Sequence, residues 1–229
     1  MRIMLSGPSG IGKTTFMDIL GRDFDLEKYS GSMSDLIPST KELSHKDMLS
    51  RDSEVLYKED YQLLNLRNKL FKDKVKYITD RSYLDSAAYF LYKQASKVPQ
   101  CEVEHFFELC KMLLNQQCDT LILFDFPKYM IKDWVMEDNN KRVINKYFQH
   151  LIAEMMKDIL NIWGCNLEHQ NVFQPNFWNT AKTYEQGFSL GKVSSIYGVT
   201  NVLVLHEAKF ETRQEIINNY LSGKLCQKL

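Results

Sequence analysis

The chain has 229 residues, 29 of them basic and 29 acidic, for a formal net charge of +0. That balance argues against a broad electrostatic surface for duplex DNA or anionic membrane and leaves at most a local basic cleft. The five cysteines, Cys101, Cys110, Cys118, Cys165 and Cys226, show no C-x-x-C spacing, and the five histidines form no H-E-x-x-H. Reduced, mostly buried thiols are expected rather than a disulfide frame or a zinc site.

One α/β domain over residues 1–229 with an insertion fits this length. No run approaches about 18 apolar residues, and a strand and loop at the very start leave no room for a signal peptide. A soluble, cytoplasmic protein with no membrane partner is the expectation.

Arg2-Ile3-Met4-Leu5 is a short apolar run that reads as a strand. It leads into Gly7-Pro8-Ser9-Gly10-Ile11-Gly12-Lys13-Thr14, which meets every fixed position of the pattern G-x-x-x-x-G-K-[ST]. Thr14 to Leu20 then reads as a helix closed by Gly21, so the order is strand, glycine loop, helix. Gly7, Gly10 and Gly12 let the backbone turn its N–H groups inward to form an anion site, where a Cβ would crowd phosphates. Lys13 supplies a compact cation and Thr14 a hydroxyl for Mg²⁺. The nucleotide-binding set is therefore Gly7, Pro8, Ser9, Gly10, Ile11, Gly12, Lys13, Thr14 and Thr15, with ATP and Mg²⁺ as the expected cofactors.

Phe24 to Tyr29 has room for a short second strand. The loop Ser30 to Pro38 after it, rich in Ser, Gly and Pro, would line the ligand crevice of an open parallel sheet. Its Asp35 either accepts a proton from an acceptor hydroxyl or caps its own turn. Lys41 to Lys74 has a helical pattern with Leu63, Leu64, Leu66, Leu70 and Phe71 on one face. Arg51, Lys58 and Arg67 on that helix read as solvated charges, with one of them in reach of a substrate as the alternative.

Val75 to Thr79 is the next strand, followed at its carboxyl end by Asp80-Arg81-Ser82. Leu84, Ala87, Ala88, Leu91, Tyr92 and Ala95 fall on one helical face, which places Asp80 and Arg81 at the strand end and towards the glycine loop. Asp80 is placed to hold Mg²⁺ through water, and Arg81 to bind a phosphate with its planar fork. A helix from Cys101 to Gln116 precedes a third strand over Asp119 to Asp125, which makes Asp125 a secondary metal or nucleotide candidate, with structural capping as the equal alternative. Pro127 ends that strand.

Lys128, Lys132, Lys141 and Arg142 mark a basic flap near 127–142, supported by an amphipathic helix from Val143 to Ile162. A cation carried by a closing flap adds about 10³ to 10⁵ in rate, and Arg142 is the candidate chosen. Near 164–200 the helical period is lost in favour of an aromatic-rich insertion with Phe173, Phe177, Trp178, Tyr184, Phe188 and Tyr197, read as packing rather than base stacking. Asn201 to Leu205 gives a last strand and Glu211 to Leu221 a closing helix.

Gly7 to Thr14 together with Asp80-Arg81-Ser82-Tyr83-Leu84-Asp85-Ser86-Ala87-Ala88-Tyr89 resembles the nucleoside and nucleotide kinases of the thymidylate kinase and deoxynucleoside kinase type. The form D-R-S-x-x-D-x-x-A-Y also resembles small ATP-binding kinase domains often encoded by viruses. The likeness spans residues 1 to about 163 in order of elements. It implies a three-layer P-loop NTPase fold, a central parallel sheet flanked by helices. Lys13 and Thr14 would serve the ATP phosphates and Mg²⁺, Asp80 the metal side, and Arg81 the acceptor. The chain departs from the deoxynucleoside kinases in lacking a clear glutamate base after the second strand, and its basic lid lacks a dense arginine cluster.

The expected activity is an ATP-dependent kinase acting on a nucleoside-type acceptor. A deoxynucleoside monophosphate ranks first, because a phosphate acceptor needs no strong base. A deoxynucleoside, or a hydroxyl within nucleic acid such as a hydroxymethylated base or a polynucleotide end, ranks behind it. A non-kinase ATPase switch ranks last. Nucleic acid is a less favoured partner, and a homodimer is left open.

Overall fold

A computed structural model describes residues 1–41, 47, 50–126, 131, 145–170, 187–207 and 209–223. Arg2–Ser6 (β1) pairs in parallel with Tyr77–Thr79 (β3) on one side and Thr120–Phe124 (β4) on the other. Glu27–Tyr29 (β2) flanks β3, and Gly198–Leu205 (β7) flanks β4, both in parallel. Two antiparallel strands, Phe188–Ser195 (β6) and Glu168–Gln170 (β5), complete a seven-stranded sheet of order β2-β3-β1-β4-β7-β6-β5.

Strand side chains alternate between two cores, as the pleat requires. Ile3, Leu5, Ile122, Phe124, Leu203 and Leu205 face one way, packed with residues of helices Lys13–Asp23 (α1) and Phe210–Leu221 (α7). Met4, Leu121, Leu123, Val202 and Val204 face the other way. They meet Ser53–Phe71 (α3), Tyr83–Gln94 (α4), Gln100–Gln117 (α5) and Lys146–Ile162 (α6). The result is the expected three-layer α/β arrangement. No described helix is long and apolar enough to cross a membrane. Among the described cysteines, Cys110, Cys118 and Cys165 are buried and unbridged, and Cys101 is exposed.

Several local expectations are corrected. Gly21 does not end α1, which runs on to Asp23; it is the point where the Lys28 stem crosses, and a Cβ there would lie 2.8 Å from Lys28 Cγ. The helical stretch expected from Lys41 does not reach α3 unbroken. Asp52 accepts hydrogen bonds from the Glu54 and Val55 N–H groups at 2.8 and 3.4 Å, so α3 starts at Ser53. On α4 the buried face includes Phe90, which stacks on Phe106 at 3.9 Å between centroids, and turns Tyr92 and Ala95 outward. On α6, Tyr147, Leu151 and Ile162 are exposed.

The stretch near 164–200 is not wholly irregular, because β5 and β6 extend the sheet from it. Gly191 hides β6 from the apolar pattern: a Cβ there would lie 2.6 Å from Cys165 Sγ and 2.9 Å from the Asn166 carbonyl. Bare backbone is what fits. Phe173, Phe177, Trp178 and Tyr184 lie outside the described residues, as do Pro127, Lys128, Lys132, Lys141 and Arg142.

The carboxyl ends of β4 and β7 are fastened to α6 by buried charge. Asp125 is 1% exposed and accepts from Lys157 Nζ at 3.1 Å and His206 Nδ1 at 2.7 Å, while His206 Nε2 meets Ser189 Oγ of β6 at 2.8 Å. Burial opposes its charge, but His206 and Lys157 outweigh burial and hold the Asp125 carboxyl below the usual range. Asp125 is thus committed to a structural joint.

Asp125→Asn should lower stability by about 2 kcal/mol at neutral pH, since it removes the buried carboxylate that His206 and half-buried Lys157 both bond, while Lys157 keeps Glu154 at 2.7 Å. The folded pKa is depressed, so this contribution is present above the unfolded value of about 3.9 and is lost as pH falls through the folded one. Urea unfolding of wild type and variant across pH should show curves that converge in acid. A constant gap at every pH would contradict the assignment.

Candidate active site

The glycine loop follows β1 directly, and its conformation comes from close approach. Gly7 has φ 137°, and a Cβ there would stand 2.5 Å from the Phe124 carbonyl of β4. The first glycine is therefore demanded by the neighbouring strand, a different reason from phosphate crowding. Gly10 (φ 80°) and Gly12 (φ 94°) take left-handed conformations, and Gly12 is the N-cap of α1. Lys13 is 6% exposed and donates from Nζ to the Gly7 and Pro8 carbonyls at 2.6 and 2.7 Å. From α7, Arg213 Nη1 donates to the Ile11 carbonyl at 3.1 Å and braces the loop from behind. Ser9 is half-buried, while Gly10, Thr14 and Thr15 are exposed at the loop rim.

Asp80 stands across from this loop. Its Oδ2 accepts from Thr14 Oγ1 at 3.3 Å, and its Oδ1 accepts from the Gly31 N–H at 3.3 Å. One carboxylate thus touches both the glycine-loop helix and the loop after β2. No group of three or more His, Cys, Asp or Glu among the described residues could hold a metal ion alone. The donors fit an ion held jointly by the Thr14 hydroxyl, Asp80 and the phosphates of a bound nucleotide.

Arg81 is half-buried and donates from Nη1 to Asp85 Oδ1 at 3.0 Å. Burial works against its charge, yet Asp85, with Tyr89 and Asp80, more than offsets it and raises its pKa. Asp85 is 2% exposed, and its Oδ2 accepts from Ser6 Oγ at 2.6 Å and from the Ser82 N–H at 2.9 Å. The Ser6 and Ser82 hydroxyls also bond to each other. Burial pushes the Asp85 carboxyl up, but Arg81, Lys13, Ser6 and Arg67 together hold it below the usual range.

Arg67 is not a solvated helix charge. It is 3% exposed and donates to the Gly31 carbonyl from Nε and Nη2 at 2.9 and 2.6 Å, and to the Ser82 carbonyl from Nη1 at 2.8 Å. It therefore ties the loop after β2 to the start of α4. Asp35 lies at the edge of this loop, on the short helix Met33–Leu36 (α2). Its carboxylate accepts from the Ser30 hydroxyl and, at 2.7 Å, from Ser32 Oγ; these hydroxyls hold its pKa low.

Asp85 and Arg67 were not singled out as site residues from sequence, though each left a mark there. Ser82-x-x-Asp85 is a capping-box pattern, and the box forms. Arg67 falls at i+4 from Leu63 and i−4 from Phe71, on the apolar face itself. Arg142, the proposed flap cation, lies outside the described residues.

No protein-family model matches the chain, and no curated protein matches it. Solved structures do. Deoxyadenosine kinase from M. mycoides with the products dCMP and a flexible dCDP bound superposes with a TM-score of 0.59 at 14% identity, covering 97% of this chain and 99% of that one. The same enzyme with bound dCTP gives 0.58, and with bound dATP 0.56, each at 14% identity with 97% of this chain and 100% of that one covered. The chain therefore has the fold of the P-loop kinases, of the deoxynucleoside kinase type.

Proposed function

We propose that the protein is an ATP-dependent kinase that passes the γ-phosphoryl group to a hydroxyl of a nucleoside-type acceptor. The observation that carries this reading is the position of Asp80, bonded on one side to Thr14 of the glycine loop and on the other to Gly31. A group in that place serves donor and acceptor at once. Bound MgATP supplies the phosphoryl group and the metal charge; the chain supplies alignment. Lys13 and the N–H groups of the loop hold the phosphates, Thr14 and Asp80 hold the ion side, and Arg81 steadies the acceptor side.

The charge pattern favours a neutral hydroxyl over the monophosphate ranked first from sequence. At the acceptor side Arg81 is paired with Asp85, while Arg67 is spent on backbone carbonyls. A dianionic acceptor would meet Asp80 and Asp35, and among the described cations it would have to draw Arg81 away from Asp85. A hydroxyl instead needs one proton acceptor, and Asp80 is better placed than Asp35, whose carboxylate is held by its own loop. The fold shared with deoxyadenosine kinase supports the same reading.

Incubation with ATP, Mg²⁺ and panels of nucleosides and monophosphates, read by product mass, should yield a nucleoside monophosphate. Product from monophosphates alone would overturn the acceptor assignment, and none from either panel the activity. Asp80→Asn should lower kcat by about 10² to 10³-fold and also weaken binding of an Mg²⁺–ATP analogue, because the same carboxylate serves the ion. Asp35→Asn should stay within about threefold of wild type, because a carboxylate bound to its own loop contributes little of the general-base factor. The reverse ranking of these two variants would move the proton-accepting role to Asp35.

A further inference from the structure

Asp85 is built as more than a helix cap. Its Oδ2 is anchored by Ser6, the last residue of β1, and by the Ser82 N–H at the start of α4. Both anchors belong to elements that carry the site. That leaves Oδ1 to hold Arg81 at 3.0 Å from an immobile post. Lys13 Nζ is held on the Gly7 carbonyl at 2.6 Å, one residue beyond Ser6, which places this donor-side cation next to the same post, and its charge helps keep the carboxylate ionised. A capping role alone would need the Ser82 contacts and nothing from Arg81, Ser6 or Lys13.

We propose that Asp85 is a positioning residue that serves as the shared counter-ion of Lys13 and Arg81 and fixes the spacing between the donor and acceptor cations. This rests on the kinase reading above. Two cations aimed at one polyphosphate repel each other in a site of low dielectric, and a buried carboxylate between them relieves that repulsion. It also competes with the incoming phosphates for both cations. The site thereby gives up some affinity for the nucleotide and gains a fixed direction for Arg81.

The consequence has a sign that a purely structural role would not produce. In Asp85→Asn the side chain keeps its size and still caps the helix, but the counter-charge is gone. A non-hydrolysable ATP analogue with Mg²⁺, titrated calorimetrically into the full chain, should bind about tenfold tighter than to wild type. Turnover should meanwhile fall about 10²-fold, because Arg81 is no longer held. In the double variant with Arg81→Ala, the turnover loss should match that of Arg81→Ala alone, since Asp85 acts on transfer through Arg81.

Unchanged or weaker analogue binding in a folded Asp85→Asn variant would overturn this inference and leave the kinase reading intact. Wild-type protein that fails to bind the analogue would overturn both. Asp85→Ser, which keeps a hydroxyl for the cap, is the second variant and should shift binding in the same direction. If neither substitution folds, Asp85 is a structural residue only and the inference is wrong.

Discussion

The carboxyl end of β1 is the constraint on which the rest depends. From it the chain first builds β2 and β3 on one side of β1 and later β4 and β7 on the other, so connections leave in opposite directions and open a crevice there. Two contacts set that point in place. Gly7 passes so close to the Phe124 carbonyl that no side chain fits, which fixes the glycine loop against β4. Ser6, one residue earlier, bonds to Ser82 and Asp85 and fixes the start of α4 against the same loop. The strand that feeds the glycine loop and the start of α4, 76 residues apart at Ser6 and Ser82, are joined through one serine.

Electrostatics then refines what topology has assembled. Burying Asp85 and Arg67 is costly, and each is tolerated because its hydrogen-bonding capacity is met by charge or by backbone. The same holds at Asp125, where a second buried carboxylate joins β4, β7 and α6. The two acidic posts sit on either side of the glycine loop's strand and divide the labour. Asp125 holds the scaffold together, and Asp85 orders the cations of the site. Asp80, between the loop rim and Gly31, is the carboxylate that touches both the glycine-loop helix and the loop after β2.

What could be read from sequence was what is local. The eight residues from Gly7 to Thr14 are consecutive, and β1, β4 and β7 announce themselves through apolar runs bounded by polar residues. Asp80 and Arg81 were readable because a strand and a strongly periodic helix bracket them. Gly191 and Gly21 misled because each marks a close approach of another segment, which a pattern along one chain does not display. Arg67 and Asp85 depend on partners 36 and 79 residues away, respectively, and a charged residue gives no sequence sign that such a partner exists. The local signatures they did leave, an arginine on a leucine face and a capping-box aspartate, speak to burial and to helix ends rather than to catalysis.

We propose that the glycine loop and the Asp80-Arg81 strand end face one shared cavity in which phosphate donor and hydroxyl acceptor meet. The most direct measurement is inhibition by a bisubstrate compound, an adenosine polyphosphate joined through its terminal phosphate to the acceptor nucleoside. If both halves are held in one crevice, it competes with ATP and with the nucleoside alike, and it binds about 10²-fold more tightly than ATP, because the second half is already tethered. Competition with ATP alone, at the affinity of ATP, would show that no acceptor lies within reach of the loop and that the two do not share a crevice.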